Sequence, residues 1–295
     1  MKSTLYRVTP GNYGDDLNSI IWPHYFPDII NDVRYIDSSH QYKGNVDETL
    51  FFGIGTILNE GAPPLSQKII FGSGFGYDKP MAINEKCRVI FVRGPKTAKA
   101  LGLKKELGIT DPAVLIADCL DIIVKEVPKQ QNRIGLMPHH ASLYPAYKEI
   151  CDELGFVFIS PTDNVADVTK KLLSVQLLIT EAMHGAICAD ALRVPWLPYK
   201  TNNKFNDFKW LDWLSTVDLA PEFATLPAIW ERKPSEQLKR LIYTPIQKQI
   251  MKNNLRKLAR SGRSYLSADN VHNENLIKIK NEVDKFSTEF QKQFA

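Results

Sequence analysis

Residues 177–199 read LLITEAMHGAICADALRVPWLPY. Leu177-Leu178-Ile179 is an apolar run of the kind that fills a buried parallel strand. Thr180 and Glu181 follow, and His184 and Gly185 then stand at the mouth of a small-residue helix over 186–192. Pro195 ends that helix and admits a second short strand, Trp196 to Tyr199. Open α/β sheets hold ligands beyond the carboxyl ends of their strands, where the N–H groups of a helix start face the ligand. In that place His184 and Glu181 are well situated for proton transfer on an anionic substrate. The competing reading makes His184 a helix N-terminal residue satisfied by a backbone carbonyl.

Working outward, short β-like runs alternate with helical ones through residue 200, the signature of stacked βα units. Leu5–Val8, Thr49–Phe52, Lys68–Phe71 and Arg88–Val92 are the strands of a first series. The stretch IIVKEVPKQQ at 122–131 turns abruptly polar and suits a linker. Beyond it, Arg133–Met137, Phe156–Ile159 and the opening segment form a second series, with helices over 144–154 and 165–173. The expected fold class is therefore α/β, with two Rossmann-like domains facing a central cleft, where ligands favour binding. The domains are placed at 1–125 and 130–230, and a basic helical extension at 231–295. In that extension Pro245 suits a helix start. A last helix carries Leu276, Ile279, Val283, Phe286, Phe290 and Phe294 at spacings of three and four, a stripe for the chain's own body or for a second copy.

Composition excludes several classes. With 44% hydrophobic and 24% charged residues, the chain has an ordinary soluble make-up. No window approaches the ~18 uninterrupted apolar residues of a membrane span, and the N-terminus lacks a secretory core. Cys87, Cys119, Cys151 and Cys188 are scattered and match no metal-ligand spacing, so reduced thiols and a cytoplasmic location are expected and no metal is assigned. Residues 231–295 hold 14 Lys/Arg against 7 Asp/Glu, a net of +7 that leaves −3 for the rest. A basic tail on a near-neutral body points to an anionic surface, such as the inner face of a membrane. No zinc finger, RNP motif or basic-aromatic interleaving supports nucleic-acid binding.

Several turns can carry chemistry. Gly11-Asn12-Tyr13-Gly14-Asp15-Asp16 frames a turn with two glycines and opens a helix with two acids. Either the helix dipole explains those acids, or one carboxylate acts as base toward a sugar hydroxyl. Gly53/Gly55 and Gly72/Gly74/Gly76 follow strands and allow close backbone approach. They lack the full G-x-G-x-x-G spacing, and no Walker lysine follows. His139-His140 follows a strand, as His184 does. Arg93, before Gly94-Pro95, can hold a phosphate or carboxylate bidentately or form a salt bridge.

Gly11 to Asn18, Gly53-Ile54-Gly55-Thr56, Val92-Arg93-Gly94-Pro95, Asp111-Pro112-Ala113, Pro138-His139-His140 and Thr180 to Gly185 occur in that order. In this the chain resembles the polysaccharide pyruvyl transferases, especially the ketal-pyruvate transferases of bacterial exopolysaccharide synthesis, over about residues 5–200. The resemblance implies a GT-B-like fold and transfer of a pyruvyl group from phosphoenolpyruvate to a sugar, often lipid-linked, with no redox cofactor. It implies His184 as general acid and Arg93 as an anion ligand, and the position readings add Glu181 and Asp15 to the catalytic set. Asn12, Gly14, Asp16, Gly55, Arg93, His139, His140 and Lys200 form the substrate-binding set. Many members carry an arginine where this chain has Ala182, so Arg93, His139, His140 or Lys200 must supply that charge, or the donor differs. A nucleotide-sugar glycosyltransferase and a non-catalytic saccharide-binding protein are the alternatives.

Overall fold

In the computed structural model of the chain, each apolar run picked out up to residue 200 is a strand of a parallel sheet. The structure describes residues 3–8, 11–36, 48–126, 128–129, 131–201, 205–229 and 237–292. Phe294, used in the sequence reading, lies outside them. In chain order the elements begin with β1 (Ser3–Val8), α1 (Tyr13–Asp16), α2 (Asn18–Tyr25), β2 (Ile30–Ile36) and β3 (Thr49–Phe52). Next come β4 (Gln67–Phe71), β5 (Cys87–Phe91), α3 (Pro95–Ala100), α4 (Leu120–Ile123) and β6 (Gln131–Met137). Then follow α5 (Ala146–Leu154), β7 (Val157–Phe158), α6 (Val165–Leu173), β8 (Val175–Thr180) and α7 (Met183–Ala191). The last are β9 (Trp196–Lys200), α8 (Asp207–Leu214), β10 (Ala224–Thr225), α9 (Gln237–Ser261) and α10 (Asp269–Lys292).

Two compact units result. Within the described residues, the first draws on Met1–Leu120, Asn206–Ala220 and Ser267–Ala295, the second on Asp121–Phe205 and Pro221–Leu266. The first contains a five-stranded sheet in the order β2-β1-β3-β4-β5, the second one in the order β10-β9-β8-β6-β7. Every strand pairing is parallel. The central strands β3 and β8 are the apolar ones: all of Thr49–Phe52 is buried, as are Leu178, Ile179 and Thr180. Burying such a side chain contributes about 1.5–3 kcal/mol, which is why these runs take the middle of their sheets. The expected α/β class with two Rossmann-like units is observed.

The units interleave where the sequence reading drew consecutive blocks at 1–125, 130–230 and 231–295. Residues 231–295 do not form one extension. Met251 and Leu255 of α9 are fully buried in the second unit's core. Ile279, Val283 and Phe286 of α10 are buried in the first unit. The Phe286 ring lies 5.3 Å from that of Phe26 and 5.6 Å from that of Phe71, edge-on to both. The sequence places Pro245 at a helix start, but α9 begins at Gln237 and runs through it. The helix forgoes the backbone hydrogen bond that a proline cannot donate.

Candidate functional site

In the first unit, the turns after β1, β3, β4 and β5 gather one set of candidate residues. Asp15, only 8% exposed, accepts a hydrogen bond from Asn12 Nδ2 on Oδ2 (2.6 Å). Gly55 follows β3 with φ +133°, the region that favours glycine. A Cβ there would stand 3.0 Å from Asp15 Oδ1, so the two turns touch. Asn18 ties them together. Its Oδ1 accepts from Ile54 N (2.7 Å), and its Nδ2 lies 2.7 Å from Ile54 O and 3.0 Å from Asp15 O. Gly14 is buried within α1. Asp16 is ion-paired to Arg7, and its Oδ2 accepts from Gly11 N (3.2 Å), so this carboxylate closes the turn. Asn12, Asp15 and Gly55 are thus brought together.

Arg93 departs from expectation. It is fully buried, with Nε donating to Asp212 Oδ2 (3.2 Å), Nη1 to Thr56 Oγ1 (2.8 Å) and Nη2 to Phe75 O (2.6 Å). A Cβ on Gly74 would lie 2.1 Å from its Cζ, so the guanidinium lies flat against the glycine-rich loop. The side chain holds that loop and is not presented to a substrate anion. Asp212, on α8, also receives Lys96 N (2.9 Å) and Thr97 N (3.0 Å) on Oδ1. It therefore caps α3, whose own N-cap is Gly94. Sequence reasoning missed Asp212 because nothing local marks a residue that acts 119 positions away from its partner.

The second unit gathers the remaining candidates at the carboxyl ends of β6, β8 and β9. Of the nine residues of α7, His184 alone is not buried. The helix start is pressed onto the sheet: a Cβ on Gly185 would lie 2.7 Å from both Met137 Sδ and Thr180 Oγ1. Thr180 Oγ1 accepts from Ala182 N (3.0 Å) and lies 3.1 Å from the carbonyls of Met137 and Ala182. These contacts fix the turn that carries the imidazole.

Glu181, 3% exposed, is engaged within the fold. Its Oε1 accepts from Thr201 N (2.9 Å) and Thr201 Oγ1 (2.5 Å), and its Oε2 from His139 N (3.3 Å). The carboxylate clasps the chain leaving β6 to the chain leaving β9. The carboxylate is thus engaged by three donors, where the sequence reading had a proton-transfer group. His139 is half-buried and His140 exposed, their rings 4.2 Å apart. Ala141 N donates to His139 Nδ1 (3.2 Å), so in the neutral ring the proton sits on Nε2. Lys200 ends β9 with its Nζ 5.8 Å from the centre of the Phe205 ring. Beneath this edge, burial raises the Tyr147 and Tyr199 hydroxyls well above the usual tyrosine range, and the nearby Glu181 carboxylate adds to the effect in both.

Among the described residues, no three His, Cys, Asp or Glu side chains converge as a metal site. The profile of the polysaccharide pyruvyl transferase family matches residues 12–203. The chain belongs to that family. The matched span holds every candidate residue named from the sequence, whereas Asp212 lies beyond it. The succinoglycan biosynthesis protein ExoV of Rhizobium meliloti (strain 1021) is 38% identical over 224 residues, covering 74% of this chain and 65% of the relative. The chain thus spans under two thirds of that relative's length. Among solved structures, a putative UDP-N-acetylglucosamine 2-epimerase from Listeria monocytogenes is similar over 85% of this chain and 91% of its own. Its TM-score is 0.44 at 12% identity. The wall teichoic acid polymerase TagF covers all of this chain and 90% of its own, with a TM-score of 0.43 at 13% identity.

Proposed function

We propose that this member of the polysaccharide pyruvyl transferase family moves a pyruvyl group from phosphoenolpyruvate to a sugar of a lipid-linked exopolysaccharide unit, forming a ketal. Family membership supports the reaction class, and the relative's part in succinoglycan biosynthesis supports a polysaccharide acceptor. The observation that carries the residue assignment is that His184 is the one residue of α7 that is not buried, held by a turn with no slack.

The chemistry needs an acid, a base and positive charge, and no redox cofactor. His184 delivers a proton to the enol methylene, which leaves a cationic carbon bonded to the phosphate oxygen. A sugar hydroxyl bonds to that carbon and gives up its proton, for which Asp15 is the proposed base. The carbon–oxygen bond to phosphate then breaks and inorganic phosphate departs. A second hydroxyl closes the ketal and releases the proton that restores the acid. With Arg93 occupied inside the first unit, His140 and Lys200 are the proposed cations for the donor's carboxylate and phosphate, and His139, whose Nδ1 accepts from Ala141 N, is proposed to donate a hydrogen bond from Nε2. Glu181 acts through His139 and Thr201, whose backbone it holds.

Incubation of the purified chain with phosphoenolpyruvate and a lipid-linked saccharide should release phosphate and give a ketal signal on the sugar. Release of a nucleoside diphosphate from a nucleotide sugar, with phosphoenolpyruvate untouched, would overturn the proposal in favour of glycosyl transfer.

A further inference from the structure

The basic tail resolves into two unlike helices. α10 carries four Lys/Arg against five Asp/Glu, and its apolar stripe is absorbed by the first unit. The positive charge lies on α9, which has seven Lys/Arg and no acid over Gln237–Ser261. One face of α9 is committed: Met251 and Leu255 fill the second unit's core, while Lys248 and Lys252 pair with Glu149 and Glu153 of α5. The opposite face presents Ile246, Ile250, Asn253, Lys257 and Arg260, whose spacings of four and three align them along the helix. Ile246 and Ile250 are 51% and 45% exposed. Arg256 flanks the row and Arg263 continues it past the helix end, and both are exposed.

From this pairing we infer that the outer face of α9 docks on a membrane surface rich in anionic lipid. The arginines and Lys257 meet the headgroups, and the two isoleucines enter the interface. A merely solvated helix face has no need of two large aliphatic residues one turn apart beside four cations. A helix that lies in the interface needs that combination. No helix among the described residues is long and apolar enough to cross a membrane, so the association is peripheral. The inference stands apart from the reaction proposed above and survives if that reading fails.

The test is flotation of the full chain with vesicles of equal parts phosphatidylcholine and phosphatidylglycerol, against vesicles of phosphatidylcholine alone. Binding should appear only on the anionic vesicles, fall with added salt, and weaken by ~5-fold for each cation removed in the series Arg256→Ser, Lys257→Ser, Arg260→Ser, Arg263→Ser. Ile246→Ser with Ile250→Ser should weaken it at unchanged charge. These positions are exposed, and an unchanged melting curve will confirm that each variant folds. Equal binding to neutral vesicles, full binding by the charge-stripped variant, or capture by polyglutamate without any vesicle binding would each overturn the inference. The last outcome would point to an acidic protein partner.

Discussion

A glutamate and a histidine three residues apart follow the same strand, and their surroundings differ. His184 is only partly buried, while Glu181 is buried and accepts three hydrogen bonds from its own unit. His184→Gln should therefore lower kcat for pyruvyl transfer by about 10²–10⁴-fold with no change in unfolding midpoint. Turnover at the parental rate would remove His184 from the mechanism. Glu181→Gln behaves differently. It turns one accepting oxygen into an N–H donor facing another donor and should cost about 1–3 kcal/mol in urea unfolding. Loss of activity there with stability intact would restore Glu181 to the catalytic set. The sequence showed where both side chains stand, because the strand-turn-helix punctuation was plain. It did not show which was already engaged, since Thr201 and His139 N reach Glu181 from other strands.

At the element scale, α8 is held to α3 and to the glycine-rich loop through Asp212. Asp212→Ala leaves the buried Arg93 guanidinium without its carboxylate and α3 without its cap. We expect a loss of about 3–5 kcal/mol in chemical denaturation. A change below about 1 kcal/mol would show the pair to be no stronger than a surface one. Most strands could be read from their apolar runs, and β3 and α6 run from the residues the pattern named. β2 and β10 escaped for a physical reason. They are edge strands, and an edge strand tolerates a mixed sequence such as INDVRYI, which makes no apolar run. α9 escaped in its first half because Pro245 imitates a helix start. Arg93 read as an anion ligand because position alone cannot reveal a partner 119 residues distant.

For the whole molecule, burial pushes the Cys151 thiol up from 9.0 to about 12. The folded chain keeps this proton where the unfolded chain releases it, so stability is intact below 9.0 and is lost as pH rises toward about 12. Tyr147 and Tyr199, raised by burial first, act in the same direction. Denaturation midpoints should therefore fall as pH passes 9.0, and Cys151→Ala should lessen the slope; a slope unchanged by that variant would acquit the thiol. The interleaved units give a further expectation. A chain cut after Leu266 loses α10, and with it the Phe286 ring that packs on Phe26 and Phe71. Limited proteolysis should then spare the second unit and degrade the first; equal resistance of both would show that α10 adds nothing. The same interleaving sets an order of events during synthesis. The second unit has all its segments once residue 266 has left the ribosome, whereas the first must wait for α10. The half of the protein made first is thus the last to be completed, and until then its phenylalanine-lined face is an obvious place for a chaperone to bind.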